Sequence, residues 1–249
     1  MVYFVGAGPG DPELLTIKGK KIIDGADLVI YTGSLVNPEI LAGCKKEAKC
    51  LDSASMTLQQ VTEEMLEGEK KGWVVARVHT GDPSIYGTIR EQMRILDRCQ
   101  VPYQVIPGVS SFLAGAAALK REFTLPEVSQ TLILTRIEGR TPVPRKESLE
   151  GLAQSKASMV IFLSVGSIQE VVQRLLTSYP PATPAAVVYK ASWKEERIVQ
   201  GTLEDIAQKT KEAGIQKTAL IYVGDFLGED FADSRLYHPS FSHGFRGES

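Results

Sequence analysis

The segment VYFVGAGPGD, residues 2–11, constrains the fold more strongly than any other part of the sequence. Val2–Val5 are β-branched or aromatic, which favours a buried strand. Glycines alternate with other residues over Gly6–Gly10 and allow a ligand to approach the backbone closely. Asp11 then precedes a predicted helix over Leu14–Asp24 as its N-cap. A strand, a glycine loop and a helix in this order are typical of ligand-binding corners in α/β domains.

The glycine spacing differs from the fingerprint of dinucleotide-binding proteins. That fingerprint requires Gly-x-Gly-x-x-Gly, and its third glycine corresponds here to Asp11. A carboxylate at this position repels a pyrophosphate. A tight turn without any ligand remains open on this segment alone.

Two further predicted strands also end in loops rich in glycine, proline and serine. Trp73–His79 leads into Thr80–Gly87, and Pro102–Ile106 leads into Pro107–Ser111. Ligands of open α/β sheets bind at the carboxyl ends of the strands. The loops together therefore predict a binding site along one edge of a sheet.

The sequence predicts an α/β protein of two domains. Residues 119–127, LKREFTLPE, are charged and contain Pro126, which suits a linker and gives domains of residues 1–120 and 121–249. Strands Ala185–Tyr189 and Arg197–Gly201 are predicted to form a hairpin. The second domain is therefore expected to contain a mixed sheet.

Composition excludes several classes of protein. The net charge is −2 and no basic run is present, which argues against a nucleic-acid surface. Apolar runs are shorter than a membrane span, and no secretory signal is visible, so we expect a cytoplasmic protein that does not enter a membrane. Cys44, Cys50 and Cys99 lack CxxC spacing. They predict reduced thiols and no metal site.

Five motifs, taken in chain order, resemble those of the tetrapyrrole (corrin/porphyrin) methylases, which transfer a methyl group from S-adenosylmethionine to a tetrapyrrole carbon. Residues 135–144, TRIEGRTPVP, and the start of residues 27–41 resemble a narrower group, the (cobalt-)precorrin-4 C-11 methyltransferases. The five motifs are VGAGPGDPELLT (5–16), HTGDPSIYG (79–87), PGVSS (107–111), SMVIFLSVGSI (158–168) and VVYKASWKEERIVQGTL (187–203).

The resemblance implies a fold and an activity. The fold has two α/β domains of the tetrapyrrole methylase type, is not a Rossmann methyltransferase, and holds the cofactor in the trough between the domains. The implied activity is methylation of C-11 of (cobalt-)precorrin-4 to (cobalt-)precorrin-5 in cobalamin biosynthesis, by a homodimer that leaves S-adenosylhomocysteine. Whether the substrate carries cobalt stays open. The alternatives are another corrin-pathway or uroporphyrinogen III C-methyltransferase, or a non-catalytic S-adenosylmethionine-binding module.

The same resemblance assigns residues to the cofactor. A sulfonium cation tolerates nearby carboxylates such as Asp11 and Asp82, unlike a pyrophosphate. For Leu163 and Ala191, in the second half of the chain, simple core packing remains an alternative. Thr218 and Ala219 are weaker candidates for cofactor binding. The assigned cofactor-binding residues are Pro9, Thr80, Gly81, Asp82, Ile85, Ser110, Ser111, Leu163 and Ala191.

Catalytic and substrate-binding candidates are fewer. Methyl transfer to an electron-rich carbon mainly requires orientation, and Asp82 or His79 is placed to act as a base. A structural role for His79 stays open. Arg136 and Arg140 suit the carboxylates of a tetrapyrrole, because a guanidinium binds a carboxylate through two hydrogen bonds. A solvated surface loop is the alternative for these arginines, and Lys190 and Lys194 are weaker candidates.

Overall fold

The computed structural model describes residues 1–139 and 141–234. The chain divides into two compact units. The first contains Met1–Gly115 together with Lys190–Glu196, and the second contains Ala116–Tyr189 and the chain from Arg197 onward. A short segment of the C-terminal half therefore belongs to the N-terminal unit. The division into two domains of residues 1–120 and 121–249 stays a prediction.

A five-stranded parallel sheet forms the centre of the first unit, with strand order β3-β2-β4-β1-β5. Val2 pairs with Val75 on one side and with Tyr103 on the other, so β1 is buried between two neighbours. This explains its continuous apolar sequence. The strands are β1 (Val2–Gly6), β2 (Leu28–Tyr31), β3 (Lys49–Asp52), β4 (Val75–His79) and β5 (Tyr103–Ile106).

Helices cover both faces of this sheet. Ile23 of the first helix packs with Val5 on one face, whereas Met65 and Leu96 of the next two pack with Phe4 on the other. The connections that follow the adjacent strands β1 and β4 therefore pass over opposite faces of the sheet. This is the topological switch point at which open α/β sheets bind ligands. These helices are α1 (Ile17–Gly25), α2 (Leu58–Lys70) and α3 (Ile89–Arg98); α4 (Ser111–Leu119) follows β5, and from Ala116 onward it is assigned to the second unit.

The predicted start of the first helix at Leu14 is wrong. A short 3-10 turn over Pro12–Leu14 comes first, capped by Asp11, whose Oδ1 accepts from the Glu13 N–H at 2.9 Å. The chain is then extended at Thr16, and its Oγ1 accepts from the Gly19 N–H at 3.1 Å. Thr16 is therefore the N-cap of α1, and the sequence pattern merged two elements into one.

The second unit contains a mixed sheet with strand order β6-β7-β10-β8-β9. Only its β6–β7 pair is parallel, and the predicted hairpin is confirmed as the antiparallel pair β8–β9. Its core packs around Met159, Val187 and Ile221. The strands are β6 (Leu132–Thr135), β7 (Ser158–Ile161), β8 (Pro184–Tyr189), β9 (Arg197–Thr202) and β10 (Ala219–Val223), and the helices are α5 (Leu149–Ala153), α6 (Ile168–Leu175) and α7 (Ile206–Glu212).

Within residues 1–139 and 141–234, no helix combines the length and the apolar character needed to cross a membrane. The same described part of the chain contains no cluster of three or more His, Cys, Asp or Glu side chains suited to a metal ion. Cys44, Cys50 and Cys99 are free thiols, and burial raises the pKa of the Cys44 thiol to about 11. Cys44 is therefore protonated at neutral pH.

Candidate functional site

Three glycines from three different strand ends meet at the carboxyl edge of the parallel sheet. A Cβ atom added to Gly6 would lie 2.6 Å from the Gly81 carbonyl oxygen and 2.7 Å from the Gly108 Cα atom. Real Cβ contacts are not this short, so the three backbones approach as closely as glycine permits. We call the loops that contain them, residues 6–11, 80–87 and 107–111, the glycine edge.

Backbone hydrogen bonds join the first two loops at the switch point. The Gly81 N–H donates to the Gly8 carbonyl at 2.8 Å, and the Gly8 N–H donates to the Gly81 carbonyl at 3.3 Å. Both residues have positive φ, 75° at Gly8 and 63° at Gly81. Glycine adopts this left-handed conformation without a steric cost. The two loops therefore form one backbone unit.

The Asp82 carboxylate ties the second loop to the third. Its Oδ2 accepts from the Gly108 N–H at 2.9 Å, and its Oδ1 accepts from the Ser84 N–H at 2.8 Å. Both oxygens therefore hold backbone groups. A role for Asp82 as a base stays a prediction, whereas its structural role in the glycine edge is visible.

His79 is the last residue of β4 and is only 2% exposed. Burial, and secondarily the charge of Arg77, lower the pKa of His79 to about 3, so its imidazole is neutral at physiological pH. Its Nε2 atom has no hydrogen-bond partner among the described residues. Arg77 lies on the same face of the sheet as His79. The catalytic role of His79 stays a prediction, and its burial favours the structural alternative.

Arg77 is buried, and its hydrogen-bond partners within residues 1–139 and 141–234 are neutral. Burial lowers the pKa of its guanidinium to about 10, which leaves the group charged at neutral pH. Its Nε and Nη1 atoms donate three hydrogen bonds, all of them to uncharged acceptors. These are the Ile30 carbonyl, Ser53 Oγ and Gln92 Oε1, at 3.2, 3.0 and 3.1 Å.

The structure brings together the cofactor candidates of the N-terminal half. The Thr80 hydroxyl donates to the Leu35 carbonyl at 3.2 Å and lies 3.3 Å from the Thr32 hydroxyl. Ser110 is buried, only 5% exposed. Their ligand contacts stay predictions, but all of these residues lie on the glycine edge. They are Pro9, Thr80, Gly81, Asp82, Ile85, Ser110 and Ser111.

The candidates of the C-terminal half separate into two groups. Ala191 belongs to the first unit and is 7% exposed, so core packing stays open for it. Leu163 belongs to the second unit, is 75% exposed and has a φ of 54°. Core packing is therefore wrong for Leu163, because an apolar residue in a strained conformation lies at the surface. Thr218 and Ala219 belong to the second unit as well.

The side chain of Arg136 holds its own loop. Its Nη1 donates to the Ile137 and Thr141 carbonyls at 3.1 and 3.0 Å, and its Nη2 donates to the Pro142 carbonyl at 3.1 Å. Arg140 lies outside the described residues. Carboxylate binding by this loop stays a prediction, with the terminal nitrogens of Arg136 already engaged.

The segment that joins β8 to β9, Lys190–Glu196, packs on the first glycine loop, a contact that the sequence did not predict. The Trp193 Nε1–H donates to the Pro9 carbonyl at 2.8 Å. The Asp11 N–H donates to Ser192 Oγ at 3.0 Å. The sequence placed this segment in the fifth motif and assigned Ala191 to the cofactor, but it gave no role to Ser192 or Trp193. Lys194 is paired with Glu39 at 2.9 Å, so this weaker substrate candidate already has a carboxylate partner.

The family model of the tetrapyrrole (corrin/porphyrin) methylases matches residues 1–207. The chain belongs to this family, and the predicted fold type is confirmed. A protein from Methanocaldococcus jannaschii named cobalt-precorrin-4 C(11)-methyltransferase is 53% identical over 247 residues, which cover 98% of this chain and 95% of that protein.

Solved structures are similar as well. The X-ray structure of a cobalamin biosynthetic enzyme, cobalt precorrin-4 methyltransferase, has a TM-score of 0.89 and 44% identity, covering 92% of this chain and 96% of that one. A uroporphyrin-III C-methyl transferase from Thermus thermophilus, complexed with S-adenosyl homocysteine, has a TM-score of 0.77 and 28% identity over 91% of this chain and 98% of that one.

Proposed function

We propose that the chain is an S-adenosylmethionine-dependent C-methyltransferase that methylates C-11 of (cobalt-)precorrin-4 and gives (cobalt-)precorrin-5. The observation that carries this proposal is the 53% identity, over 98% of the chain, to a protein named for this reaction. The uroporphyrin-III enzyme is less similar, at 28% identity. The substrate is a small-molecule tetrapyrrole, the family resemblance supports a homodimer, and the sequence composition supports a cytoplasmic location.

The chemistry of the glycine edge suits S-adenosylmethionine. Its loops contain the carboxylates of Asp11 and Asp82 and no lysine or arginine. Negative charge without a nearby lysine or arginine suits a sulfonium cation and disfavours a pyrophosphate. The glycines at Gly6, Gly81 and Gly108 place no side chain between the backbone and a nucleoside, which allows the ligand to approach the edge closely. When bound, this cofactor supplies an electrophilic methyl group on sulfur.

The residues of the chain contribute mainly orientation. Rigid loops that hold two reactants in near-attack geometry lower the barrier by about 7–11 kcal/mol in favourable cases. Asp82 serves this purpose by fixing the second and third loops through Gly108 and Ser84. His79 stays neutral below the edge and adds no positive charge that would oppose a sulfonium. Asp82 is therefore proposed to position the loops, and a role as a base for Asp82 or His79 stays a prediction.

The test is a product analysis with purified protein. S-adenosylmethionine with an isotopically labelled methyl group is combined separately with precorrin-4, cobalt-precorrin-4 and uroporphyrinogen III. We expect label in the tetrapyrrole, located at C-11 by carbon NMR, with one of the two precorrin-4 forms. Label at another carbon, or only in the uroporphyrinogen product, would overturn the substrate assignment. Cofactor binding without label in any product would favour a non-catalytic module.

A further inference from the structure

The first glycine loop is covered by a tryptophan that lies far away in the sequence. Trp193 and Pro9 are separated by 184 positions, yet the indole N–H donates to the Pro9 carbonyl at 2.8 Å. Pro9 has no backbone N–H, so this carbonyl is its only backbone hydrogen-bonding group. Asn37 adds a second hydrogen bond to the same loop, from its Nδ2 to the Gly10 carbonyl at 2.8 Å.

The indole ring also explains a glycine. A Cβ atom on Gly10 would lie 2.8 Å from Cε2 of Trp193 and closer still to Cδ1 and Nε1. The ring therefore packs directly on the Gly10 backbone. The third glycine of the motif is required by Trp193, whereas Gly6 is required by contacts among the loops themselves.

The segment that carries Trp193 is held in a strained conformation. Lys190 and Ser192 have positive φ values of 48° and 69°, which side chains disfavour. Ser192 is fixed on both sides, since its Oγ accepts from the Asp11 N–H and its own N–H donates to Glu196 Oε2 at 2.7 Å. Strain of this kind persists where surrounding contacts over-determine the backbone, and it is enriched at functional sites.

We propose that Trp193 is a positioning residue for the cofactor. Its N–H fixes the Pro9 carbonyl, and its ring fixes Gly10, so that residues 6–11 keep the conformation that receives S-adenosylmethionine. This inference rests on the proposed function. Trp193 acts through the loop and is assigned no contact with the reacting atoms.

The test compares Trp193→Phe with Trp193→Ala and uses the second tryptophan as the control. Trp193→Phe retains an aromatic ring and removes the N–H donor. We expect it to raise the Kd for S-adenosylhomocysteine about three- to tenfold by calorimetry, as for one lost neutral hydrogen bond. We expect the KM for S-adenosylmethionine to rise with this Kd while the KM for the tetrapyrrole stays near its native value, and Trp193→Ala to raise the Kd further. Trp73→Phe, at the opposite end of β4, is expected to leave the Kd unchanged.

Fluorescence provides a readout that is independent of turnover. The chain has two tryptophans, so Trp73→Phe leaves Trp193 as the sole indole emitter. We expect its spectrum to change on saturation with S-adenosylhomocysteine. An unchanged spectrum, or an unchanged Kd in a thermally stable Trp193→Phe variant, would overturn the positioning role alone. A fall in cofactor and tetrapyrrole affinity together with a lower Tm would show a purely structural role. Absence of S-adenosylhomocysteine binding to the native chain would overturn the proposed function as well.

Discussion

Asp82 accepts a hydrogen bond from the backbone of Gly108, a residue on a different loop, at 2.9 Å. The bond joins the loop after β4 to the loop after β5, at the point where their backbones also meet Gly6. A carboxylate in this position is part of the framework of the site. The consequences of this framework can be measured.

Asp82→Asn tests whether this carboxylate positions the loops or acts as a base. An asparagine has one acceptor oxygen, so its NH₂ group must face one of the N–H donors now bound by Asp82. Losing a hydrogen bond to a charged group costs about 1.5–3 kcal/mol. We expect a raised Kd for S-adenosylhomocysteine, measured by calorimetry, with the pH profile of kcat unchanged. Asp205→Asn is the control, because Asp205 makes a similar bond to the Thr202 N–H in the second unit. A loss of kcat at unchanged Kd would instead support a base.

Gly6→Ala tests the close approach of the three loops. The new methyl group would lie 2.6 Å from the Gly81 carbonyl oxygen, and backbone on the other side prevents relief. Overpacking of this kind costs about 1–3 kcal/mol. We expect the free energy of unfolding in urea to fall and cofactor affinity to fall with it. Gly25→Ala is a matched control, since among the described residues no atom outside its chain neighbours and its own helix backbone lies within 4 Å of its Cβ position. Equal stability of both variants would contradict this packing.

The burial of neutral His79 predicts that the free energy of unfolding depends on pH. The pKa of His79 is lowered from its ordinary 6.5 to about 3 in the folded protein, so the unfolded chain binds the proton first. Stability from the neutral imidazole is present above about pH 6.5 and is lost at about 1.4 kcal/mol per pH unit below it. We measure the free energy of unfolding in urea for the wild type and for His79→Leu, which carry the same titratable groups apart from His79. Between about pH 7 and pH 5 we expect the wild type to lose more stability. Parallel profiles would show that His79 is not buried in the neutral form.

Arg136→Ala tests the substrate assignment. The side chain now holds the Ile137, Thr141 and Pro142 carbonyls, so its loss disorders the predicted carboxylate-binding loop. We expect the KM for the tetrapyrrole to rise about tenfold, which corresponds to about 1.4 kcal/mol, while the Kd for S-adenosylhomocysteine stays constant. Arg136→Lys is expected to rescue partly, because lysine keeps the charge and loses the planar fork. The control is Arg145→Ala, an exposed arginine nearby. An unchanged KM would favour a surface loop.

Local sequence patterns predicted most of the strands and the edge on which the loops meet. The parallel sheet follows from its buried apolar strands, and the meeting of Gly6 with Gly81 follows from their places at strand ends. The predicted start of α1 was wrong because Asp11 and Thr16 are both good N-caps. The sequence pattern does not separate the 3-10 turn from the helix that follows it.

Contacts over long sequence distances were not predictable from local patterns. Nothing near Pro9 indicates that an indole 184 positions away satisfies its carbonyl. The Arg136 side chain binds its own loop, which depends on a backbone path that spacing does not specify. Arg136 was correctly interpreted as a hydrogen-bond donor, and only the structure identified its acceptors, whereas no prediction was made for Trp193 from the sequence.

The assignment of Lys190–Glu196 to the first unit has a consequence for biosynthesis. A ribosome makes the glycine loop at the start of the chain and the tryptophan that covers it much later, at about 5–20 residues per second. During that interval the nascent N-terminal sheet can form while Gly10 and Pro9 remain without their cover. The last step in completing the loop therefore waits for synthesis of most of the second unit, and a ribosome-bound chain stalled before residue 190 is expected to expose this loop to protease.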